Sequence, residues 1–370
     1  MARMDSALQG IVEQVADACA RAAALRIRGG GSKDFYGQRL HGELLDTRVL
    51  SGVVAYEPSE LVVTLRCGTP LQELEALLAQ QGQCLAFEPP HFGPSATVGG
   101  MVAAGLSGPA RASSGPVRDY VLGLQMVNGK AEVLRFGGQV MKNVAGYDVS
   151  RLMVGALGVL GVITEVSLKV LPRPRAQATL EFACAQHQAL GLLQDWAARP
   201  LPLNASCWEP EDGGRLSVRL RGAIAAVEAA CAVLGGQRVA DAPAGTFWES
   251  LREQTFGAFR PGDGECLWRL SVPDTAAVLE LAPPGSAPLL EWGGALRWVK
   301  APVSCAPALR AAAVAVGGTA SIFRRGKLVR APEVSVFHPL PATSLRIQLA
   351  LKQQFDPAGI FNPARMFPEL

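Results

Sequence analysis

Between Gly93 and Ile163 the chain is rich in glycine and yet apolar, and this combination constrains the fold more than any other feature. Fourteen of the 40 glycines fall between Gly93 and Gly161, and no charged residue occurs from Leu152 to Ile163. A flexible linker would be Gly/Ser-rich and polar. Glycine in apolar sequence marks tight turns, or places where backbone closely approaches a ligand. The stretch GPSATVGGMVAAGLSGP (Gly93–Pro109) therefore reads as packed structure, and the ligand it suggests is large, flat and phosphate-bearing.

A second cluster lies upstream at Arg28-Gly29-Gly30-Gly31-Ser32-Lys33, after the strand-like Leu25-Arg26-Ile27. Consecutive glycines can turn successive N–H groups toward one point, forming an anion-binding nest. Arg28 and Lys33 add positive charge, and each charge-assisted hydrogen bond is worth about 1.5–3 kcal/mol. The alternative is an ordinary loop. The spacing is neither G-x-G-x-x-G nor the Walker pattern, which argues against a nicotinamide dehydrogenase.

Taken together, the two clusters resemble those of FAD-binding proteins of the vanillyl-alcohol-oxidase (PCMH-type) family. KNVAGYD (Lys142–Asp148) and GVLGVITE (Gly158–Glu165) share the resemblance. The narrower likeness is to the FAD-binding subunits of bacterial glycolate oxidases. It is carried by FEPPHFGPSATVGGMVAAGLSGP, LRFGGQVMKNVAGYDVSRLMVG, KVLPRPRA, LWRLSVP, EWGGALRWVK and LKQQFDPAGIFNPARMFPEL.

The resemblance implies an α+β fold: a PCMH-type FAD-binding domain over 1–172, made of two α/β lobes (about 1–83 and 84–172). A cap domain over 173–330 and a C-terminal segment over 331–370 that returns to the FAD domain complete it. It also implies that Arg28, Gly29, Gly30, Gly31, Ser32 and Lys33, with Pro94, Ser95, Ala96, Thr97, Gly99 and Gly100, hold the flavin pyrophosphate. Asp119, Asn143, Gly146, Tyr147, Gly161, Val162 and Asn362 are further candidates for the flavin site. For Asp119 and Asn143 a local turn is the alternative, for Gly161 and Val162 strand packing, and for Asn362 helix termination before Pro363. No histidine follows Gly31, so the family's histidyl–flavin signature is missing and FAD is expected to be non-covalent.

The remaining sequence sets bounds. A net charge of +3 with scattered basic residues gives no nucleic-acid stripe. MARMDSALQGIVEQ is not a secretory signal, and no run approaches the ~20 apolar residues of a membrane span. The chain is expected to be cytoplasmic, meeting a membrane only through partners. Eight dispersed cysteines without a C-x-x-C pair argue against zinc and iron–sulfur sites, and no metal is expected.

Periodicity predicts helices over 6–24, 188–198, 224–234 and 343–354, and one opening at Thr69-Pro70-Leu71-Gln72 with Thr69 as its cap. Strands are predicted over 25–27, 53–55, 61–65, 121–127, 132–136, 162–170, 216–220 and 267–272. Pro172-Arg173-Pro174 is a stiff break.

Oxidation of a 2-hydroxy acid on a flavin needs a cation for the carboxylate and a base for the hydroxyl proton. Arg269, Arg297, Lys300 and Arg324 are the cation candidates, with a structural role the alternative for each. Related catalytic dehydrogenases carry G-D-G-N-x-H and E-H-G. Here Gly262-Asp263-Gly264 is followed by Glu265-Cys266, and Thr319 stands after Gly317-Gly318 where relatives often place a histidine. His338 is the only late histidine, and packing is its alternative role. The expectation is an accessory or electron-relaying FAD subunit, in a complex oxidising glycolate to glyoxylate with a sister FAD-containing catalytic subunit and an iron–sulfur subunit. The alternatives are a self-sufficient D-lactate or glycolate dehydrogenase, and a structural subunit without a working flavin.

Overall fold

Asp5 opens the first helix: its carboxylate accepts from the Ala7 N–H at 3.2 Å, satisfying a donor that a helix start leaves without a partner. The computed structural model describes residues 5–138, 148–330 and 334–370, so Asn143, Gly146 and Tyr147 lie outside the described residues. The helix runs over Ser6–Arg21 and buries Ile11, Val15 and Ala18, the face its apolar spacing predicts. Gly10 is exposed in the middle of this helix, with nothing within 4 Å of where a Cβ would stand. Gly10→Ala is therefore predicted to stabilise by about 0.5–1 kcal/mol. It should raise the urea midpoint at constant slope, and an unmoved midpoint would contradict the reading.

The chain divides into two compact units. The first comprises Met1–Leu106, Pro116–Pro172 and Pro339–Leu370, and the second Ser107–Gly115 and Arg173–His338. Two details differ from a contiguous division at 172 and 330. Ser107–Gly115 joins the second unit because Trp292 Nε1 donates to the Gly108 carbonyl at 3.1 Å and Ser113 Oγ donates to the Asn204 carbonyl at 2.8 Å. Residues 334–338 stay with it because Ile322 N donates to Val336 O and His338 N donates to Ser321 Oγ at 3.1 Å.

In the first unit, Leu25–Arg28 pairs in parallel with Glu43–Asp46. A five-stranded antiparallel sheet has the order Val53–Glu57, Val62–Arg66, Val162–Lys169, Val121–Val127, Val133–Gly137. Strands from both sides of residue 83 share this sheet, so it does not respect a lobe boundary there. The helix Leu71–Gln80 starts after Pro70 with no side-chain cap. Thr69, expected to cap it, has its hydroxyl on backbone instead, donating to Arg66 O at 2.7 Å and accepting from Gly52 N at 2.9 Å.

The C-terminal tail is pinned beside the first strand. Leu25 N donates to Ile360 O at 2.7 Å and Asn362 N to Leu25 O at 2.9 Å, while Ile360 and Phe361 are buried with Ile11, Val15 and Leu45. Each such side chain contributes about 1.5–3 kcal/mol through removal from water.

The second unit is built on an eight-stranded sheet of order Gln237–Val239, Ala176–Ala183, Arg215–Gly222, Leu203–Glu209, Leu289–Glu291, Leu296–Pro302, Glu265–Ser271, Thr319–Arg325. All its pairs are antiparallel. Trp208, Leu216, Val218 and Leu290 pack against helices Gln186–Ala197 and Ile224–Leu234. Cys266, Trp268 and Leu270 pack with Ala306, Leu309 and Ala313 of helix Ala306–Ala315. Side chains alternate along a strand, so Arg269, Trp298, Leu289 and Glu291 lie on the opposite face.

Candidate functional site

The loop after Leu25–Arg28 has no room for side chains. A Cβ on Gly30 would overlap the Ser95 carbonyl oxygen, and one on Gly31, at φ +75°, would overlap the Arg28 guanidinium. Ser95 Oγ donates to the Gly30 carbonyl at 2.8 Å, which closes the two glycine segments onto each other. Among the described residues, the backbone N–H groups of Gly30, Gly31 and Ser32 donate to no protein acceptor. Partly exposed N–H groups without partners, at glycines whose neighbours leave no space for a Cβ, are free to donate to an anion.

The loop forms one wall of a cleft of about 530 Å³ that is also lined by Thr97, Gly100, Ala103, Leu157, Asn362 and Arg365. A contiguous cleft of about 420 Å³ shares Gly29, Gly100, Leu157 and Asn362 and reaches Thr47, Gly158, Gly161 and Ile163. Positive charge lines the loop. Arg28 Nε pairs with Asp34 Oδ2 at 2.8 Å, and Lys33 Nζ donates to the His91 carbonyl at 3.1 Å.

The second glycine segment plays a different part from the one expected. Its N–H groups at Ala96, Val98 and Gly99 donate to Gly93 O, Thr69 O and Cys67 O. That of Gly100 donates to Thr97 Oγ1 at 3.2 Å, which caps Val98–Ala104. Gly99 lets this segment press on Cys67, where a Cβ would stand 2.6 Å from the Cys67 Cβ. Thr97, Gly99 and Gly100 reach the clefts, whereas Pro94, Ser95 and Ala96 do not line them.

The other candidates separate in the same way. Gly161 and Ile163 line the second cleft. Val162, between them, points into the core at 0 % exposure, as strand alternation requires. Asp119 lies outside both clefts, an exposed carboxylate 3.8 Å from Arg151. Asn362 lines both, but its amide is occupied: Oδ1 accepts from Ile27 N at 2.8 Å and Nδ2 donates to Leu157 O at 2.6 Å. It braces the wall and does not present its polar atoms to the interior.

Two supports were not anticipated from sequence. Arg365 is buried and donates to the carbonyls of Asp34, Gln38 and Tyr36. Burial lowers its pKa, while Asp34 opposes the shift. Lys352 Nζ donates to Asp356 Oδ2 at 2.7 Å, to Val159 O at 2.7 Å and to Phe361 O at 2.9 Å. The same carboxylate accepts from the N–H groups of Ile360 and Phe361.

In the second unit most of the cation candidates are structural. Arg297 is fully buried and donates to the carbonyls of Gly294, Ala277 and Ala276. Arg324 Nη2 donates to Gln254 Oε1 at 3.4 Å, and exposed Lys300 reaches the Gly257 carbonyl at 3.4 Å. His338 Nδ1 accepts from Ala320 N at 3.3 Å, and burial holds its pKa below the ordinary value. Arg269 differs: its guanidinium lies 5.3 Å from the Trp292 ring centroid and makes no hydrogen bond or ion pair with any described residue.

Glu291 was not anticipated either. It is 5 % exposed and its Oε1 accepts from Trp298 Nε1 at 2.7 Å. Burial pushes its pKa up from 4.5 to about 7, against the pull of that hydrogen bond and of Arg269. Between those two values the folded chain binds the proton and the unfolded chain does not. Stability attributable to this group is therefore present below about pH 4.5 and is lost as pH rises to about 7. Glu291→Gln keeps the acceptor for Trp298 and removes the titration. We predict that it stabilises the chain by an amount on the order of 3 kcal/mol near pH 8, and by much less near pH 5. Equal gains in urea midpoint at both pH values would contradict this.

Among the described residues no group of three His, Cys, Asp or Glu could hold a metal ion, and no helix is long and apolar enough to cross a membrane.

Comparison with known proteins bears on the family of the chain. A family model described as an FAD binding domain matches residues 8–137, which include both glycine segments. The chain is 47% identical over 363 residues to glycolate oxidase subunit GlcE of Escherichia coli (strain K12), with 98% of each chain covered. It is 32% identical over 140 residues to glycolate oxidase subunit GlcD of Bacillus subtilis (strain 168), covering 38% of this chain and 29% of that protein. The solved structure of an alkyldihydroxyacetonephosphate synthase superposes with a TM-score of 0.68 over 96% of this chain and 74% of that one. At 17% sequence identity, that likeness shows a shared fold. The chain carries an FAD-binding domain and belongs to the glycolate oxidase subunit GlcE family of FAD-dependent oxidoreductases.

Proposed function

We propose that this chain is the FAD-carrying, electron-relaying subunit of a complex that oxidises glycolate to glyoxylate, accessory to a sister FAD-containing catalytic subunit and joined to an iron–sulfur subunit. The observation that carries the cofactor part is the set of N–H groups at Gly30, Gly31 and Ser32 without acceptors among the described residues. These groups would hold the pyrophosphate by charge-assisted hydrogen bonds, with Arg28 and Lys33 supplying the counter-charge. Thr97 and Gly100 shape the opposite wall, and Asn362 and Arg365 keep the tail against it. FAD, when bound, supplies a two-electron acceptor.

The accessory part is supported by the engagement of Arg297, Arg324 and Lys300 with the protein's own carbonyl and amide oxygens. The missing G-D-G-N-x-H and E-H-G patterns support it as well. The complex reading draws on the likeness to a glycolate oxidase subunit along nearly the whole chain.

The test is an absorption spectrum of the purified chain before and after anaerobic glycolate. The flavin bands near 370 and 450 nm (approximate, and set by the cofactor itself) are expected to persist, and to bleach only when the sister subunit is present. Prompt bleaching of the isolated chain would instead establish a self-sufficient 2-hydroxy-acid dehydrogenase.

A further inference from the structure

Lys33 closes the glycine loop, and a segment 58 residues further on holds its ammonium. Pro89, Pro90 and His91 are buried, which is unusual for a connecting segment, because buried backbone must find its own hydrogen-bond partners. The His91 carbonyl finds one in Lys33 Nζ, at 3.1 Å. The same ammonium donates to Ser32 Oγ at 3.3 Å and lies 5.6 Å from the centroid of the Phe92 ring. That ring meets Phe35 edge-on, with centroids 5.4 Å apart. Lys33 lines the first cleft together with Gly30, Gly31 and Ser32.

The segment that carries this carbonyl and this ring adopts a conformation its residues do not favour by themselves. Glu88 has φ +48° and Phe92 φ +52°. These left-handed values flank a Pro-Pro pair whose own φ is fixed at about −65°. A bulky residue keeps such a value only where its surroundings over-determine it. One support is the His91 side chain, whose Nε2 lies 3.1 Å from Oε2 of Glu75, on the helix Leu71–Gln80. His91 is 7 % exposed, whereas the Glu75 side chain is 31 % exposed. The helix thus holds the segment, the segment holds the ammonium, and the ammonium stands beside the N–H groups of the glycine loop. A lysine on a free four-carbon stem would lose its rotamer freedom only on meeting an anion.

We propose that Glu75 and His91 are positioning residues for the flavin pyrophosphate: they fix the His91 carbonyl and the Phe92 ring, which set the Lys33 ammonium in place before the anion arrives. The inference rests on the function proposed above, in which the glycine loop takes the pyrophosphate of FAD. Neither Glu75 nor His91 lines the clefts, so each acts through Lys33. Preorganisation of this kind raises affinity by reducing what must be ordered on binding.

The test is a double-mutant cycle on FAD affinity, read from the change in flavin fluorescence as the full chain, stripped of flavin, is titrated with FAD. Lys33→Met should weaken binding roughly 10- to 100-fold. Glu75→Ala, which breaks the contact from its more exposed side, should weaken it about 3- to 10-fold. In the Lys33→Met background Glu75→Ala should add nothing, because its effect passes through the ammonium. His91→Ala should repeat the pattern, and if that chain fails to fold the Glu75 cycle decides alone. A side chain that merely supports the fold would weaken binding equally with and without Lys33, so equal effects overturn the proposal. Wild-type affinity in Lys33→Met or in Glu75→Ala overturns it too. The wild-type titration separates this inference from the function beneath it. A wild-type chain that binds FAD, with variants whose effects simply add, sinks the positioning alone. A wild-type chain that binds no FAD sinks both.

Discussion

A Gly30→Val chain is expected to purify without flavin. Any Cβ at this position meets the Ser95 carbonyl oxygen, a backbone atom that cannot turn aside as a side-chain tip could. Ser95 is in turn tied back to the Gly30 carbonyl by its hydroxyl, so the two segments must separate together. Separation moves Gly30, Gly31 and Ser32 away from their places in the cleft wall. Losing two or three charge-assisted hydrogen bonds of about 1.5–3 kcal/mol each lowers flavin affinity by several orders of magnitude. Far-ultraviolet circular dichroism should stay near wild type, because the loop lies outside the five-stranded sheet and its core. Gly10→Ala, in open space, is the matched control and should keep its flavin. A yellow Gly30→Val protein with a full complement of FAD would refute this account of the loop.

The largest stability effect is expected at Lys352. Lys352 and Asp356 form an ion pair with side-chain exposures of 10% and 0%, and the lysine also satisfies two carbonyls. Removing one partner of a buried pair leaves an uncompensated charge and costs about 3–5 kcal/mol. Lys352→Met should lower the unfolding free energy by that amount. It should also loosen flavin binding, because the tail it holds carries Asn362 and Arg365 into the cleft wall. The comparison is Arg21→Met, which breaks the exposed Arg21–Glu43 pair, where a far smaller loss is expected. Equal losses in the two variants, measured by urea unfolding, would show that the buried pair does not hold the tail.

The contrast between these residues explains what the sequence could reveal. The glycine loop was legible because a backbone without Cβ atoms leaves its mark directly in composition, and its neighbours Arg28 and Lys33 stand next to it in the chain. The lining at Thr97, Gly100 and Gly161 followed from the same signal. Lys352 and Asp356, in LKQQFD, have the i, i+4 spacing of an ordinary exposed pair, and nothing local says that Phe361 and Val159 close over them. Glu291 in EWGG is equally silent, since neither its bond to Trp298 nor its pairing with Cys207 shows in the local pattern. Asp119 and Asn362 show the converse. Motif position brought each toward the flavin, but an exposed turn and two backbone hydrogen bonds respectively engage their polar atoms elsewhere.

The central claim is that this chain holds its own FAD in the glycine-lined cleft without a covalent bond, and acid precipitation of the FAD-saturated, desalted protein tests it most directly. The account predicts close to one FAD per chain, all of it in the supernatant, and none in a Gly30→Val sample handled identically. A chain that retains no flavin after saturation, or one whose flavin stays with the precipitated polypeptide, would contradict it.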